Sequence, residues 1–413
     1  MKKIEVRIEE DNLGQMEVPE QALWGVCTAR WLSRARAGAF KYGESKLHPL
    51  LLESLCLVQK AKLLTIRCLS SAGETSANVG LSVKPISVNN SANSVNSLIS
   101  LRLQVLDELL NGQHSAEIVV DPRLSLCGES LFDNLNEVMT GRSRQLVGLK
   151  AHSEADKSAE ETSAPTAGQT ICDFRGSDYF HLALRLAVFN SFRDIEATLL
   201  DLERLLRRQS LSLEKELLLS GREEPEDLQI AEIFSQFGNL AERNMRKFKE
   251  SRSKLLEMSL SEESVFQKQY FLELTKLTGL GITPAAESTT PQSLLVRSYF
   301  QADYADLLKA SSSLQELALD INQMCQVLAD LEVKGLLALA PDEEKARASL
   351  TALKLACLRV QATGNLVGLA LNNTASSLAG AALLESSDAI KGALRSCNYT
   401  YINRIILYTS KRR

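Results

Sequence analysis

The chain has 413 residues, of which 45% are hydrophobic, 24% charged and 5% aromatic, and its formal net charge is −4. This length allows two or three domains with a large core. The slightly negative charge provides no broad basic field, which argues against binding to nucleic acid or to an anionic membrane surface. We therefore expect neither nucleic acid nor a membrane among its partners.

The composition favours helices over strands. Aromatic residues are few, prolines number only 9, and long runs of Leu, Ala, Glu, Lys and Arg recur along the chain. We therefore predict an all-α, mainly helical fold. No apolar stretch follows the Met-Lys-Lys start, so we expect no signal peptide, no membrane span and a cytoplasmic location.

The cysteines show no metal-binding or disulfide pattern. None forms a Cys-x-x-Cys pair, and the 4 histidines show no paired spacing. We expect reduced and mostly buried thiols, with no metal and no cofactor. The 8 cysteines are Cys27, Cys56, Cys68, Cys127, Cys172, Cys325, Cys357 and Cys397.

Near the amino terminus, the stretch RIEEDNLGQMEVPEQALWGVCTAR carries ten spaced residues that form one pattern. They are Arg7, Glu9, Asp11, Gly14, Val18, Pro19, Trp24, Gly25, Thr28 and Arg30. In this register they resemble the amino-terminal signature of the aspartase/fumarase superfamily. The resemblance implies a long central helical bundle, a smaller amino-terminal domain and a reduced carboxy-terminal region.

Two helices are predicted next. Apolar residues at helical spacing indicate the first, from Leu47 to Leu69. A Ser- and Asn-rich stretch interrupts the pattern, and an amphipathic helix then leads to Asn111 and Gly112, which tolerate left-handed geometry and end it. We assign these elements to a first domain at residues 1–125.

The segment CGESLFDNLNEV resembles the family's Gly-Thr-Ser-x-Asn-Met-Asn-x-Asn-Glu-Val motif. It keeps Gly128, Ser130, Asn134 and Asn136. Glu129 replaces the substrate-binding Thr, and Phe132 replaces an Asn. The resemblance makes Ser130 a candidate catalytic residue, and Asn134 and Asn136 candidates for substrate binding. A carboxylate at Glu129 would repel a dicarboxylate, which argues against the family's usual substrate.

Residues 155–176 are rich in Ser, Thr, Ala, Glu and Pro and predict an irregular loop. Where the family's second substrate loop ends, this chain has Arg175, Gly176, Ser177 and Asp178, of which only Asp178 matches. Asp178 is therefore a candidate catalytic residue. Arg175 either holds a substrate carboxylate or is an exposed loop residue. A long helix with one apolar stripe follows, towards Leu219.

The next motif has lost its histidine. Gly221, Arg222 and Asp227 fit the family's Gly-Arg-Thr-His-x-Gln-Asp segment, but Glu223-Glu224 replaces Thr-His, so a side chain suited to proton transfer near neutral pH is missing. Glu224 is a candidate general base. The acidic run from Glu223 to Asp227 could bind a divalent cation, but it lacks calcium-loop spacing and is more typical of a solvated surface.

The family's diagnostic loop, Gly-Ser-Ser-x-Met-Pro-x-Lys-x-Asn-Pro, should follow Leu331. The resemblance implies that this catalytic loop supplies a serine as base and the lysine and asparagine that hold the substrate carboxylate. The chain reads EVKGLLALAPDEEKARASLTALK there, and the motif occurs nowhere in the sequence. Lys334 and Ser349 lie nearby, but without Gly-rich surroundings we interpret both as ordinary helix or loop residues. A last bundle helix is predicted from about Lys345 to Leu371. The predicted central bundle domain is therefore 126–372, and 373–413 a reduced carboxy-terminal segment.

Two functions remain open. The losses favour a catalytically degenerate relative that serves as a scaffold, binding or regulatory partner, for example of an active paralogue. The alternative is a divergent lyase, an ammonia-lyase, a hydratase or a related enzyme, that uses Ser130, Asp178, Glu224 and Arg175. The resemblance implies a homotetramer, with a hetero-oligomer containing a related subunit as the other possibility, and a small carboxylate as ligand.

Overall fold

The computed structural model describes residues 5–37, 46–71, 92–125, 128–153, 176–220, 225–260, 262, 264–284, 304–339 and 343–407. Helices dominate these ranges and confirm the predicted fold class. They are α1 (Val26–Ala37), α2 (Pro49–Ser71), α3 (Ala92–Leu110), α4 (Glu129–Ser153), α5 (Gly176–Ser220), α6 (Pro225–Leu255), α7 (Ser264–Thr278), α8 (Ala305–Val333), α9 (Glu343–Asn372) and α10 (Ser376–Thr400). No described helix is both long and apolar enough to cross a membrane.

Contacts between residues divide the chain into two compact units. Unit 1 comprises Met1–Ala187, Leu256–Phe300 and Thr374–Ala381, and unit 2 comprises Val188–Leu255, Gln301–Asn373 and Ala382–Arg413. The sequence-based boundaries at residues 125 and 372 stay a prediction.

Within the described ranges, three short strand pairs accompany the helices. β1 (Val6–Asp11) and β2 (Gly14–Pro19) form an antiparallel hairpin in unit 1. β3 (Glu257–Met258) and β4 (Thr283–Pro284) pair in parallel, while β5 (Leu337–Leu339) and β6 (Ile405–Leu407) pair antiparallel in unit 2. The sequence analysis assigned no strand to residues 6–19, although exposure alternates along β1 with the period of a strand.

The long predicted helices are present with small shifts at their ends. The predicted helix 47–69 is α2, and the helix expected from Asp178 towards Leu219 is α5, which begins at Gly176. α3 ends before Asn111, and Gly112 adopts a left-handed φ of 81°, as its residue type suggested. The predicted loop 155–176 lies outside the described residues except for Gly176.

Unit 2 contains a close helix pair, α8 and α9. A Cβ added at Gly364 of α9 would lie 2.0 Å from the side-chain amide nitrogen of Gln315 on α8, so a larger residue there would require the Gln315 side chain to shift. α6 also packs on α8, where the hydroxyl oxygens of Ser251 and Ser313 lie 2.7 Å apart.

Candidate functional site

Arg7 organises the amino-terminal part of unit 1. Its guanidinium donates to the Glu9 carboxylate at 2.8 Å and to four backbone carbonyls between β2 and α1. Those carbonyls belong to Pro19, Glu20, Ala22 and Trp24, at 2.8–2.9 Å. The planar fork of an arginine suits such a convergent set of acceptors. Arg7 therefore fixes the path of the chain from the hairpin into α1.

Two carboxylates cap the start of α1. Glu137 of α4 accepts hydrogen bonds from the backbone N–H groups of Gly25 at 2.9 Å, Cys27 at 2.8 Å and Thr28 at 3.0 Å. Glu9 accepts from the N–H of Val26 at 3.0 Å. Together they satisfy N–H groups that have no partner within the helix, at its positive end.

A third contact joins the hairpin to α1. The Arg30 guanidinium donates to the Asp11 carboxylate at 2.5 Å and to the Gly14 carbonyl at 3.1 Å. A Cβ on Gly25 would lie only 2.6 Å from a Glu9 oxygen and 3.1 Å from a Glu137 oxygen, so a larger residue would displace the carboxylates that cap α1. Five residues of the amino-terminal motif therefore stabilise the fold of this part of unit 1. They are Arg7, Glu9, Asp11, Gly25 and Arg30.

The middle of α4 is also tied to the framework. Asn134 is fully buried, and its side-chain oxygen accepts from the N–H groups of Val119 at 2.8 Å and Val120 at 3.3 Å. Its amide nitrogen donates to the Glu117 carbonyl at 3.1 Å. The Asn136 side-chain oxygen is buried and has no hydrogen-bond partner among the residues that the structure describes. Of these two candidate substrate ligands, Asn134 already holds the backbone of residues 117–120.

The starts of α4 and α5 meet at Gly128. This residue has a φ of 79°, and a Cβ on it would lie 2.2 Å from the ring of Phe180. Ser130 is 1% exposed, and its hydroxyl has no hydrogen-bond partner within the described ranges, while Asp178 lies in the first turn of α5. The structure thus brings the candidates Ser130 and Asp178 to neighbouring helix starts.

The two substituted motif positions differ in environment. Glu129 is exposed in the first turn of α4, where a carboxylate is favoured by the helix dipole. Phe132 is 2% exposed, so an apolar ring fills the interior at a position where the family motif has an amide.

The connection between α8 and α9 replaces the expected loop. It contains β5, which pairs with β6 through Leu337 and Leu407. Glu332, at the end of α8, accepts from Arg347 at 2.5 Å and from the Tyr401 hydroxyl at 3.2 Å. Burial and the Glu332 charge raise the pKa of Tyr401 above its usual range.

The two isolated residues near this connection have ordinary environments. Lys334 is exposed in the turn after α8. Ser349 lies buried in α9, and its hydroxyl donates to the Ala346 carbonyl at 2.7 Å. Neither environment distinguishes the residue from a common helix or loop position.

Comparison with known proteins identifies sequence relatives of this chain. An aspartate ammonia-lyase of Bacillus subtilis strain 168 is 22% identical over 293 residues, which cover 68% of this chain and 54% of the relative. A class II fumarate hydratase of Pseudomonas putida is 30% identical over 142 residues, or 34% of this chain and 25% of the relative. The chain belongs to the aspartase/fumarase superfamily. It spans about half the length of the Bacillus subtilis relative.

Comparison with solved structures concerns the fold. A fumarate lyase/delta crystallin structure from Brucella melitensis has a TM-score of 0.76 at 17% identity and covers 98% of this chain and 89% of its own. A class II fumarase from Schistosoma mansoni has a TM-score of 0.72 at 16% identity, with 98% and 85% coverage. These likenesses show the shared fold. No protein-family model matches the sequence.

The remaining candidates cannot be placed. Arg175, Glu223 and Glu224 lie outside the described residues, and so do the side chains of Glu226 and Asp227. Among the described residues, no group of three or more His, Cys, Asp or Glu side chains is arranged to hold a metal ion.

The cysteines in the described ranges are free thiols, and most are buried. Burial raises the pKa of Cys56, Cys325 and Cys357 to about 12, so these thiols stay protonated and unreactive near neutral pH. Burial, together with the Glu137 and Asp133 charges, raises the pKa of Cys27 to about 12 as well. Cys68 is exposed.

The role of Glu137 was missed by the sequence analysis. The Asn-Glu-Val match aligned this residue with the family motif, yet no function was assigned to it. No local sequence pattern indicates this role, because Glu137 accepts hydrogen bonds from N–H groups that lie more than a hundred positions earlier in the chain.

Asp133 of α4 offers a test by pH. Burial raises its pKa, the charges of Glu137 and Glu129 raise it further, and the Trp31 indole N–H at 3.4 Å lowers it. A carboxyl whose pKa is higher in the folded than in the unfolded state disfavours folding when ionised, and this cost disappears as pH falls below the unfolded pKa. We expect Asp133→Asn to raise the urea midpoint at pH 7, with the gain shrinking towards pH 3.

The matched control is Glu53→Gln, an exposed carboxyl on α2. It should leave the midpoint unchanged at both pH values. A gain from Asp133→Asn that is the same at pH 7 and pH 3 would contradict an electrostatic cause.

Proposed function

We propose that this chain is a superfamily member that does not form fumarate by the family's reaction and that acts as a binding or regulatory subunit of an oligomer. One observation carries the proposal. The place of the catalytic loop is taken by β5 and by an ion pair between Glu332 and Arg347. The connection at residues 334–342 contains no serine and no asparagine, and its lysine, Lys334, lacks the Gly-rich surroundings of the family's loop.

The family residues that remain support this proposal. Arg7, Glu9 and Glu137 are all engaged with backbone groups around α1. Such contacts preserve a fold whether or not a reaction takes place. The chain keeps these framework residues but lacks the catalytic loop. This combination is consistent with a protein whose role depends on its surface and its assembly.

The proposed assembly is a homotetramer, or an oligomer with a related subunit, in the cytoplasm. Unit 2 supports it, because several large apolar side chains of its helices are exposed. They are Leu200, Leu211, Leu319, Val333, Leu355, Leu358, Leu366, Leu369 and Tyr399. Four of them, Leu355, Leu358, Leu366 and Leu369, recur at helical spacing on one face of α9, and an exposed apolar stripe is more typical of an interface than of a free surface.

The test is an assay of fumarate formation by ultraviolet absorbance, from aspartate, malate and argininosuccinate in turn. The oligomeric mass is measured on the same preparation by light scattering. We expect an oligomer that shows no turnover above buffer. An active aspartate ammonia-lyase, assayed in the same way, is the positive control. Turnover by the purified oligomer would contradict the proposal.

The second candidate is a divergent lyase acting on a small carboxylate. The buried Ser130 hydroxyl favours it, because this group has no hydrogen-bond partner among the described residues, and such a group costs free energy unless a ligand completes its hydrogen bonding. If turnover is found, Ser130→Ala should reduce kcat at least tenfold. Ser100→Ala, an exposed serine whose hydroxyl bonds its own helix α3, is the control and should leave kcat unchanged.

A further inference from the structure

The β1–β2 hairpin directs polar residues inward and apolar residues outward. Arg7, Glu9 and Asp11 of β1 face unit 1, where they contact α1 and the segment that leads into it. Val6 and Ile8 alternate with them along the strand and are 46% and 67% exposed. A sheet with one solvated face normally shows the opposite arrangement, with its apolar side chains on the buried face. The reversal is typical of a surface that another chain covers.

The exposed face of the hairpin, which we call the outer face, is acidic as well as apolar. It consists of three residues of β1 and their cross-strand neighbours on β2, which are Val6, Ile8, Glu10, Pro19, Glu17 and Gln15. Glu10 and Glu17 are exposed, and neither forms an ion pair within the described part of the chain. Because no lysine or arginine belongs to the outer face, a basic residue of a partner would complement its charge.

The backbone of β1 is open along the edge that faces away from β2. Residues 5, 7, 9 and 11 are the hydrogen-bonded positions of the antiparallel ladder, as the bond from the Glu20 N–H to the Glu5 carbonyl at 2.9 Å indicates. The N–H and C=O groups of Val6, Ile8 and Glu10 therefore point away from β2. The sheet has two strands, and no other described residue bonds to these groups. They can pair with one further strand.

The edge of β2 differs from the edge of β1. Pro19 has no N–H group, and its carbonyl already accepts a hydrogen bond from Arg7 at 2.9 Å. Between Val6 and Glu10, by contrast, β1 contains neither a proline nor a bulge. A further strand can therefore add along β1, whereas β2 offers an incomplete set of backbone groups.

Charge decides between the possible occupants of this edge. A second copy of the hairpin would bring its own Glu10 and Glu17 to the outer face, which adds like charges and no cation. A segment antiparallel to β1 complements the face when a basic residue lies opposite Glu10 and apolar residues lie opposite Ile8 and Val6. These three residues alternate along the segment, since side chains on one face of a strand are two positions apart.

We propose that the free edge of β1 binds an extended basic segment of another protein by strand addition, with the order basic-x-apolar-x-apolar along that segment. The inference rests on the proposed function only in its claim that the chain binds a partner. It adds the surface, the orientation and the chemistry of the partner segment.

A labelled peptide tests this surface on the full-length protein. The probe is Ser-Gly-Lys-Thr-Val-Thr-Val-Gly-Ser with fluorescein at its amino end, and fluorescence anisotropy measures its Kd. We expect Glu10→Lys to weaken binding about tenfold, because a cross-strand attraction becomes a repulsion. A peptide with Glu in place of Lys should show the reverse preference. Glu53→Lys, which reverses an exposed charge on α2, should leave the Kd unchanged.

Hydrogen exchange separates strand addition from a purely electrostatic contact. When the peptide is bound, the amides of Val6, Ile8 and Glu10 should exchange more slowly, because they gain acceptors on the added strand. A peptide with proline in place of its first valine cannot donate to the Ile8 carbonyl and should lose this protection. Mass spectrometry of the digested protein measures the exchange, and circular dichroism confirms that each variant is folded.

The outcomes distinguish this surface from the proposed function. Absence of binding at about 1 mM peptide, or binding that Glu10→Lys leaves unchanged, would overturn the strand-addition surface. A mass that Ile8→Asp reduces in light scattering would show that a second copy covers the edge, and would overturn it as well. Turnover of aspartate, malate or argininosuccinate would instead overturn the proposed function and leave the peptide result standing.

Discussion

Gly141→Ala is expected to destabilise the protein strongly. Gly141 lies in α4, and a Cβ there would sit 2.2 Å from the backbone carbonyl oxygen of Leu23, in the segment that leads into α1. A backbone atom cannot rotate away as a side chain can, so α1 and α4 would have to separate. We expect a loss of about 3 kcal/mol in the free energy of unfolding, at the upper end of overpacking effects.

The same helix contains a matched control. A Cβ on Gly148 would meet no atom within 4 Å. Gly148→Ala should therefore gain up to about 1 kcal/mol from helix propensity. Urea denaturation at a fixed protein concentration measures both variants, since oligomer stability depends on concentration. Equal stability of the two variants would show that α1 and α4 do not approach this closely.

Glu137→Ala is expected to have the second large effect. The substitution removes the acceptor of three N–H groups at the start of α1, those of Gly25, Cys27 and Thr28. Loss of a single cap costs about 1 kcal/mol, and buried donors left without acceptors cost more. We expect a loss of about 3 kcal/mol in the free energy of unfolding by urea denaturation.

Two further variants test whether the charge and the position of the Glu137 carboxylate cause the loss of stability. Glu137→Gln keeps one carbonyl oxygen and should lose about half as much, because a neutral acceptor bonds less strongly than a charged one. Glu53→Ala, an exposed carboxylate on α2, should change stability by less than about 0.5 kcal/mol. Full stability of Glu137→Ala would contradict a framework role for this residue.

These two predictions concern one junction, where the recognised motifs meet. Glu137 belongs to the second motif and acts on the first, and Gly141 lies one turn further along the same helix. The close approach of α1 and α4 explains why both motifs survive in a chain that has lost the catalytic loop. Their residues are needed to fold unit 1, independent of any reaction.

The sequence by itself determined the helical class, the family and the approximate ends of α2, α3 and α5. These follow from local periodicity, from Gly112 as a helix stop and from motif spacing, all of which are short-range properties of the chain. The absence of the diagnostic loop is also evident from the sequence alone. The β1–β2 hairpin was missed because its residues were interpreted as a motif alone.

Only the tertiary structure decided what the recognised residues do. That Glu137 caps α1, that Asn134 holds residues 117–120 and that Phe180 lies against Gly128 depends on contacts between distant positions, which no local pattern encodes. The exposed apolar stripe of α9, formed by Leu355, Leu358, Leu366 and Leu369, is another case. Its spacing is present in the sequence, but helical periodicity cannot tell which of two apolar faces the chain covers itself, and exposure in the folded unit settles it.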